Sequence, residues 1–172
     1  MVSLPDRMTD AGIEVRILMA ECRGPSLPGY SSADAKTCME FMHIVLWNRV
    51  ADPRPFGAKQ ATLLAVITAA GQFAGFENYP DYSGGIRQNL QRMLDIANDS
   101  KDSRNAQFTE FIQIAIDVAK NRTILDPTPG KLVGWRTGGS GSPGGGFKLF
   151  RTVAGTDFYY QVKPEPKAAR HK

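Results

Sequence analysis

At 172 residues, with 42% hydrophobic and 22% charged positions, the chain has the size and composition of one soluble globular domain, which excludes a disordered polymer and a bundle of membrane helices. The 21 Lys and Arg exceed the 17 Asp and Glu by only four, and Lys163, Lys167, Arg170 and Lys172 fall near the C-terminus. The body is therefore close to neutral, nucleic acid is not expected as a partner, and no apolar run reaches the roughly 18 residues that membrane insertion needs.

The N-terminal "MVSLPDRMTDAGIEV" lacks a basic region followed by an apolar run, so no Sec signal is expected. Thr9 or Asp10 can cap a first helix, in which Ile13, Ile17 and Leu18 recur at helical spacing until Gly24 and Pro25 stop the pattern. Glu21 follows Ile17 by four residues and Leu18 by three, which puts its carboxylate on the side that seeks the core and next to the negative end of the helix dipole. Both effects favour the protonated acid, as a general acid near neutral pH requires. On spacing alone the competing reading is a boundary glutamate that reaches water or pairs with Arg23 or Arg49.

After the loop "PSLPGYSS", Ser31 and Asp34 have capping-box spacing, and Ala35, Cys38, Met39, Met42, Val45 and Leu46 predict a second helix that ends before "ADPRPFG". "AKQATLLAVITAA" predicts a short buried helix closed by Gly71. The following "GQFAGFENYPDYSGG" carries Phe73, Phe76, Tyr79 and Tyr82 among Gln72, Glu77, Asn78 and Asp81. Sugars offer apolar faces to rings and hydroxyls to amides and carboxylates, so this loop is a candidate carbohydrate site. Phe73 and Phe76 have a second reading as core plugs.

Two more amphipathic helices are predicted at about Ser83 to Asn98 and Arg104 to Asn121. "GGSGSPGGG" then reads as a flexible loop, and "FKLFRTV" and "TDFYYQV", joined by "AGT", read as a hairpin. The expected architecture is mainly α (α+β), one domain over 1–162 with a small C-terminal β-hairpin and a basic tail over 163–172.

Cys22 and Cys38 read as buried, reduced thiols, with a bridge between neighbouring helices as the alternative in an oxidising compartment. His43 reads as a structural hydrogen-bonder, there being no acid near it in sequence. A Cys22–His43 hydrolase is disfavoured because the thiol sits at a helix C-terminal end, where the thiolate is destabilised. His43, His171 and the two cysteines have no zinc-like spacing, so neither metal nor cofactor is expected.

In order and approximate spacing, "ILMAECRG", "HIVLWNRV", "GQFAGF", "FTEFIQIAIDVAKNRTILDPTPG" and "GTDFYYQV" resemble the SleB-type cell wall hydrolases, over residues 13 to 162. The resemblance implies a lysozyme-like helical domain that cuts peptidoglycan glycan strands as a muramidase or lytic transglycosylase. It implies Glu21 as catalytic acid and matches the family's Gln-Phe pair with Gln72 and Phe73. With the aromatic loop, these make Gln72, Phe73, Tyr79, Tyr82 and Tyr159 the expected glycan contacts, joined by Glu77 and Asp81, which are also the candidates for a second carboxylate. Arg23, Asn48, Arg49 and Asp126 would be structural supports, Arg49 bracing the helix that carries Glu21. Cys22 stands where the family has a small residue, and "PGKLVGW" replaces its Gly-Ala after the Asp-Pro-Thr turn.

Such an enzyme, made without a Sec signal, is expected to reach the periplasm or cell wall through a holin, as an endolysin, or a specialised secretion system, as an interbacterial toxin. A toxin implies a cognate immunity protein. The alternative is a catalytically inactive peptidoglycan-binding or phage or secretion-system structural protein.

Overall fold

The computed structural model describes residues 1–162; the expected basic tail, His171 included, lies outside the described residues. The fold is mainly α with a small sheet, an α+β arrangement. In chain order it comprises α1 (Asp10–Glu21), α2 (Ser32–Ala51), a 3-10 turn (Arg54–Phe56), α3 (Leu63–Ile67), α4 (Gly84–Asn98), α5 (Asn105–Lys120), β1 (Lys131–Thr137), β2 (Phe147–Val153) and β3 (Thr156–Gln161).

Helix starts follow cap chemistry. Thr9, Ser31, Thr62 and Ser83 each use a side-chain oxygen to accept an N–H from the first turn of α1, α2, α3 and α4. Thr9 rather than Asp10 is thus the first cap. The predicted third helix shrinks to five residues, because the chain beyond Ile67 buries Ala69, Phe73, Phe76 and Tyr79 through successive turns.

The helix α1 lies between two apolar clusters. Val15, Leu18 and Met19 join the cluster formed with α2, α4, α5 and the sheet, while Ile13 and Ile17 face Leu46, Leu63, Val66, Phe73 and Phe76. It is therefore buried nearly all round, which a single stripe of Ile13, Ile17 and Leu18 understates. Gly12 admits the N-terminal segment against this helix, since a Cβ there would come within 1.8 Å of the Asp6 carbonyl oxygen.

The expected hairpin exists as β2 and β3, turned by Ala154 (φ 50°) and Gly155 (φ 73°). It is not the whole sheet. β1 pairs antiparallel with β3, which becomes the central strand of a three-stranded sheet ordered β1-β3-β2. This strand escaped the pattern because Gly134 interrupts its apolar run and a register irregularity between Leu132 and Gly134 breaks the period of two. No helix among the described residues is long and apolar enough to cross a membrane.

Candidate active site

Glu21 ends α1 and opens onto a cleft of about 290 Å³. One wall is Gly71, Gln72, Phe73 and Ala74; the other is Trp135, Arg136 and Thr137 of β1, with Arg49 between them. The core-facing placement expected from spacing is corrected here: Ile17 and Leu18 are fully buried, but Glu21 is exposed. The helix stops at Glu21 and the chain leaves at Cys22, so no further turn covers the side chain.

Exposure of the residue does not mean a freely hydrated carboxylate. The cleft walls surround its oxygens and strip water from the ionised form, which raises the Glu21 carboxyl above its ordinary value. The Trp135 Nε1–H donates to Glu21 Oε2 at 3.4 Å and draws the value partly back down. Neither Arg23 nor Arg49 forms a salt bridge with Glu21 among the described residues. The carboxyl can hold a proton nearer neutrality than a surface glutamate and release it into a cleft large enough for part of an oligosaccharide.

The residues expected as supports gather behind this cleft. Asn48 Nδ2 donates to Asp126 Oδ2 and to the Leu132 carbonyl, each at 2.8 Å, and Asp126 also accepts from the Leu132, Thr128 backbone N–H groups. Arg49 donates from Nε to the Val133 carbonyl at 2.8 Å and from Nη1 to Gln72 Oε1 at 3.0 Å. Its guanidinium also lies over the rings of Phe56 and Phe73, at 4.6 and 5.4 Å from their centroids. Burial lowers the Arg49 pKa to about 10, which leaves it cationic at neutral pH. The expectation that Arg49 braces α1 is corrected: it fastens the end of α2 to β1 and fixes Gln72 in the cleft wall. Arg23 sits against Gly29 and Gly155, between the α1–α2 loop and the β2–β3 turn.

The aromatic loop divides differently from the carbohydrate expectation. Phe73 (3% exposed) and Phe76 (0%) are core residues, although Phe73 also backs the cleft and packs 5.4 Å from the Trp135 ring. Tyr79 is buried too, and its hydroxyl donates to the Arg7 carbonyl at 2.5 Å, while its ring stacks with Phe76 and Tyr82. A buried ring whose hydroxyl is already bonded cannot receive a sugar. Tyr82 is half-buried in the same stack.

Glu77 accepts from the Gly75 N–H at 2.7 Å within its own loop. Glu77, Tyr79, Asp81 and Tyr82 do not line the cleft. Tyr159 is likewise buried, its hydroxyl donating to the Gly141 carbonyl at 3.0 Å. It ties down the Gly-rich loop and does not line the cleft. Asp157 joins it by accepting from Thr152 Oγ1 (2.6 Å) and Gly139 N (2.9 Å), bonds that lower its carboxyl pKa.

Two important groups had no place in the sequence reading. Trp135 comes to Glu21 from 114 residues away in the unrecognised strand; recognising β1 from "KLVGW" was the only signal for it. Glu14 is fully buried in α1 and accepts from His43 Nδ1 at 2.5 Å and Trp47 Nε1 at 3.0 Å. His43 therefore is a structural hydrogen-bonder, but with an acid partner that sequence proximity does not reveal. Arg122 covers the Trp47 ring at 3.9 Å. Cys22 and Cys38 are free and buried, and Cys22 Sγ lies 3.7 Å from the Ala35 carbonyl oxygen of α2, one turn before Cys38.

Among the described residues no group of three or more His, Cys, Asp or Glu is arranged to hold a metal ion. A larger, more apolar cavity of about 400 Å³ lies beside Phe56, Val133 and Gln161, and its lining carboxylate is Asp52, the C-cap of α2. Chemistry, not size, singles out the Glu21 cleft. No protein-family model matches the chain, and no curated protein or solved structure matches it significantly.

Proposed function

We propose that the protein cleaves the glycan strands of peptidoglycan, with Glu21 as general acid and then general base. The observation that carries this reading is a single carboxyl, raised by desolvation, at a helix end in a cleft walled by Gln72, Arg49 and Trp135. The substrate class rests on the resemblance of "ILMAECRG" and its companion segments to the SleB-type hydrolases.

In this mechanism Glu21 gives its proton to the glycosidic oxygen between N-acetylmuramic acid and N-acetylglucosamine as an oxocarbenium-like centre develops on the muramic ring. Its carboxylate then has two courses: to accept the proton of the muramic C6 hydroxyl, which closes a 1,6-anhydro ring, or to serve alongside a second carboxylate that activates water. Glu21 is the only carboxylate among the described residues lining the cleft. This supports the lytic transglycosylase course over the muramidase one. Gln72, held by Arg49, offers an amide to substrate hydroxyls or acetamido groups, and Trp135 offers a ring edge and face beside the acid.

The proposed enzyme works without metal or cofactor, in the periplasm or cell wall after export by a holin or a specialised secretion system. In the second setting an immunity protein would plug the cleft. The test is mass spectrometry of purified peptidoglycan digested with the full chain and with Glu21→Gln. Anhydro-muropeptides from the wild type and none from the variant are expected; reducing-end products would replace the transglycosylase course by hydrolysis. Unchanged glycan with wild type, or full release by Glu21→Gln, would overturn the enzymatic assignment in favour of a binding or structural role.

A further inference from the structure

Directly after Glu21, Cys22 caps the C-terminal end of α1 with its backbone, and its side chain turns inward towards α2. Its Sγ lies 3.7 Å from the Ala35 carbonyl oxygen, one helical turn before Cys38 on the same helix. Both thiols are free, and both residues belong to the same buried cluster. Cys38 is fully buried. Cys22 is 4% exposed and borders a cavity of about 210 Å³ that Met19, Gly24, Leu27, Asn89 and Met93 also line.

A thiol that rests on α2 one turn from a second thiol in the same buried cluster places both cysteines on facing helix surfaces that a disulfide can join. A disulfide needs adjacent sulfurs on segments that can approach, and α1 and α2 already pack in the same core cluster here. The span between the cysteines contains the entire loop from Arg23 to Ser31, so the bond would constrain a segment whose ends are otherwise joined only by packing.

We propose that Cys22 and Cys38 are an oxidative cross-linking site, which a low-molecular-weight disulfide such as oxidised glutathione closes to an intramolecular disulfide that fastens the Glu21-bearing end of α1 to α2. The Cys22 thiol gives its proton to water, and its sulfur attacks one sulfur of oxidised glutathione; that S–S bond breaks and one glutathione leaves as thiolate. Cys38 then loses its proton and attacks the Cys22 sulfur, and the second glutathione departs. Two cysteine thiols are oxidised by two electrons, and one glutathione disulfide is reduced to two thiols. The neighbouring Cys38 thiol and burial raise the Cys22 thiol well above its usual range, so closure is slow at neutral pH and accelerates as pH rises.

The reduced full chain is incubated with oxidised glutathione, unfolded in denaturant with an alkylating reagent, and weighed. The expected product has lost two hydrogens and takes up no alkyl group. A non-reducing tryptic digest yields peptide 17–23 joined to peptide 37–49. The melting temperature rises by roughly 5–10 °C and returns on adding reductant. Two alkylated thiols, a lasting glutathione adduct, or a cross-link between chains would overturn the proposal.

Cys22→Ala and Cys38→Ala each remove the joined peptide and the melting shift; should either fail to fold, the wild-type peptide map still decides. These readouts are masses and melting curves and use no glycan substrate. Failure of the cross-link leaves the proposed cleavage standing, and absence of cleavage leaves the cross-link standing.

Discussion

Glu14 and Glu21 lie two helical turns apart on nearly the same face of α1, yet the fold gives them opposite lives. Glu14 is fully buried and satisfied by two donors, His43 Nδ1 and Trp47 Nε1. Glu21, where the helix runs out, keeps one long hydrogen bond from Trp135 and an open cleft. A buried carboxyl whose oxygens are all occupied holds two helices together and has no capacity left for substrate. One that is desolvated but under-bonded can give and take a proton. The difference comes from what surrounds each residue.

The largest expected effect breaks the contrast at its active end. Glu21→Gln should lower anhydro-muropeptide release by roughly 10³-fold or more, with an unchanged far-ultraviolet circular dichroism spectrum. Retained turnover would make the two glutamates alike in function.

Next comes the buried end. Glu14→Ala leaves His43 and Trp47 without their shared acceptor and should cost about 3 kcal/mol of stability or more, seen as a melting temperature lower by about 10 °C. A loss below about 1 kcal/mol would show that Glu14 is not the fastening point between α1 and α2.

Trp135→Phe is a smaller perturbation that sharpens the comparison, because it removes the indole donor to Glu21 and keeps an aromatic wall. Turnover should fall roughly 10-fold. The hydrogen bond lowers the Glu21 carboxyl, so its loss moves the limb of the pH–rate profile governed by that group to higher pH. An unmoved limb would assign that limb to another group.

The smallest effect is on stability. The folded Glu21 carboxyl is raised above its unfolded value, so folding favours the protonated form. That contribution is present below the ordinary carboxylate range and is lost as pH rises through the folded value. Glu21→Gln should therefore melt slightly above the wild type near pH 7, with the gap closing below about pH 4. Asp157, whose carboxyl is lowered chiefly by Thr152, provides the opposite sign: its contribution is present above the ordinary carboxylate range and fades on acidification through the folded value. Equal melting of Glu21→Gln and wild type at both pH values would remove the asymmetry.

Much of the helical frame was legible because caps and apolar periods are local. Thr9, Ser31 and Ser83 mark helix starts, and Ala35, Cys38, Met39 and Met42 trace the buried side of α2. β1 was not, since Gly134 and the register irregularity interrupt its alternation. Glu21 could be picked out as a candidate, and Asn48, Arg49, Gln72 and Asp126 do converge near its cleft. The aromatic loop misled because ring-rich segments serve cores and sugar sites equally well, and only burial separates Phe76 and Tyr79 from a ring such as Trp135.

By itself the sequence determined where helices begin and stop, that an apolar core forms, and that a glutamate stands at the end of α1. These depend on backbone hydrogen bonds, Ser and Thr caps and the 3.6-residue period, all settled within a few neighbours. Only the tertiary structure decided that Trp135 reaches Glu21, that Glu14 meets His43 and Trp47, and that Cys22 packs on α2 one turn from Cys38. Proton affinity, hydrogen-bond satisfaction and thiol proximity depend on atoms brought together from distant positions, and no local pattern encodes which distant atoms those will be.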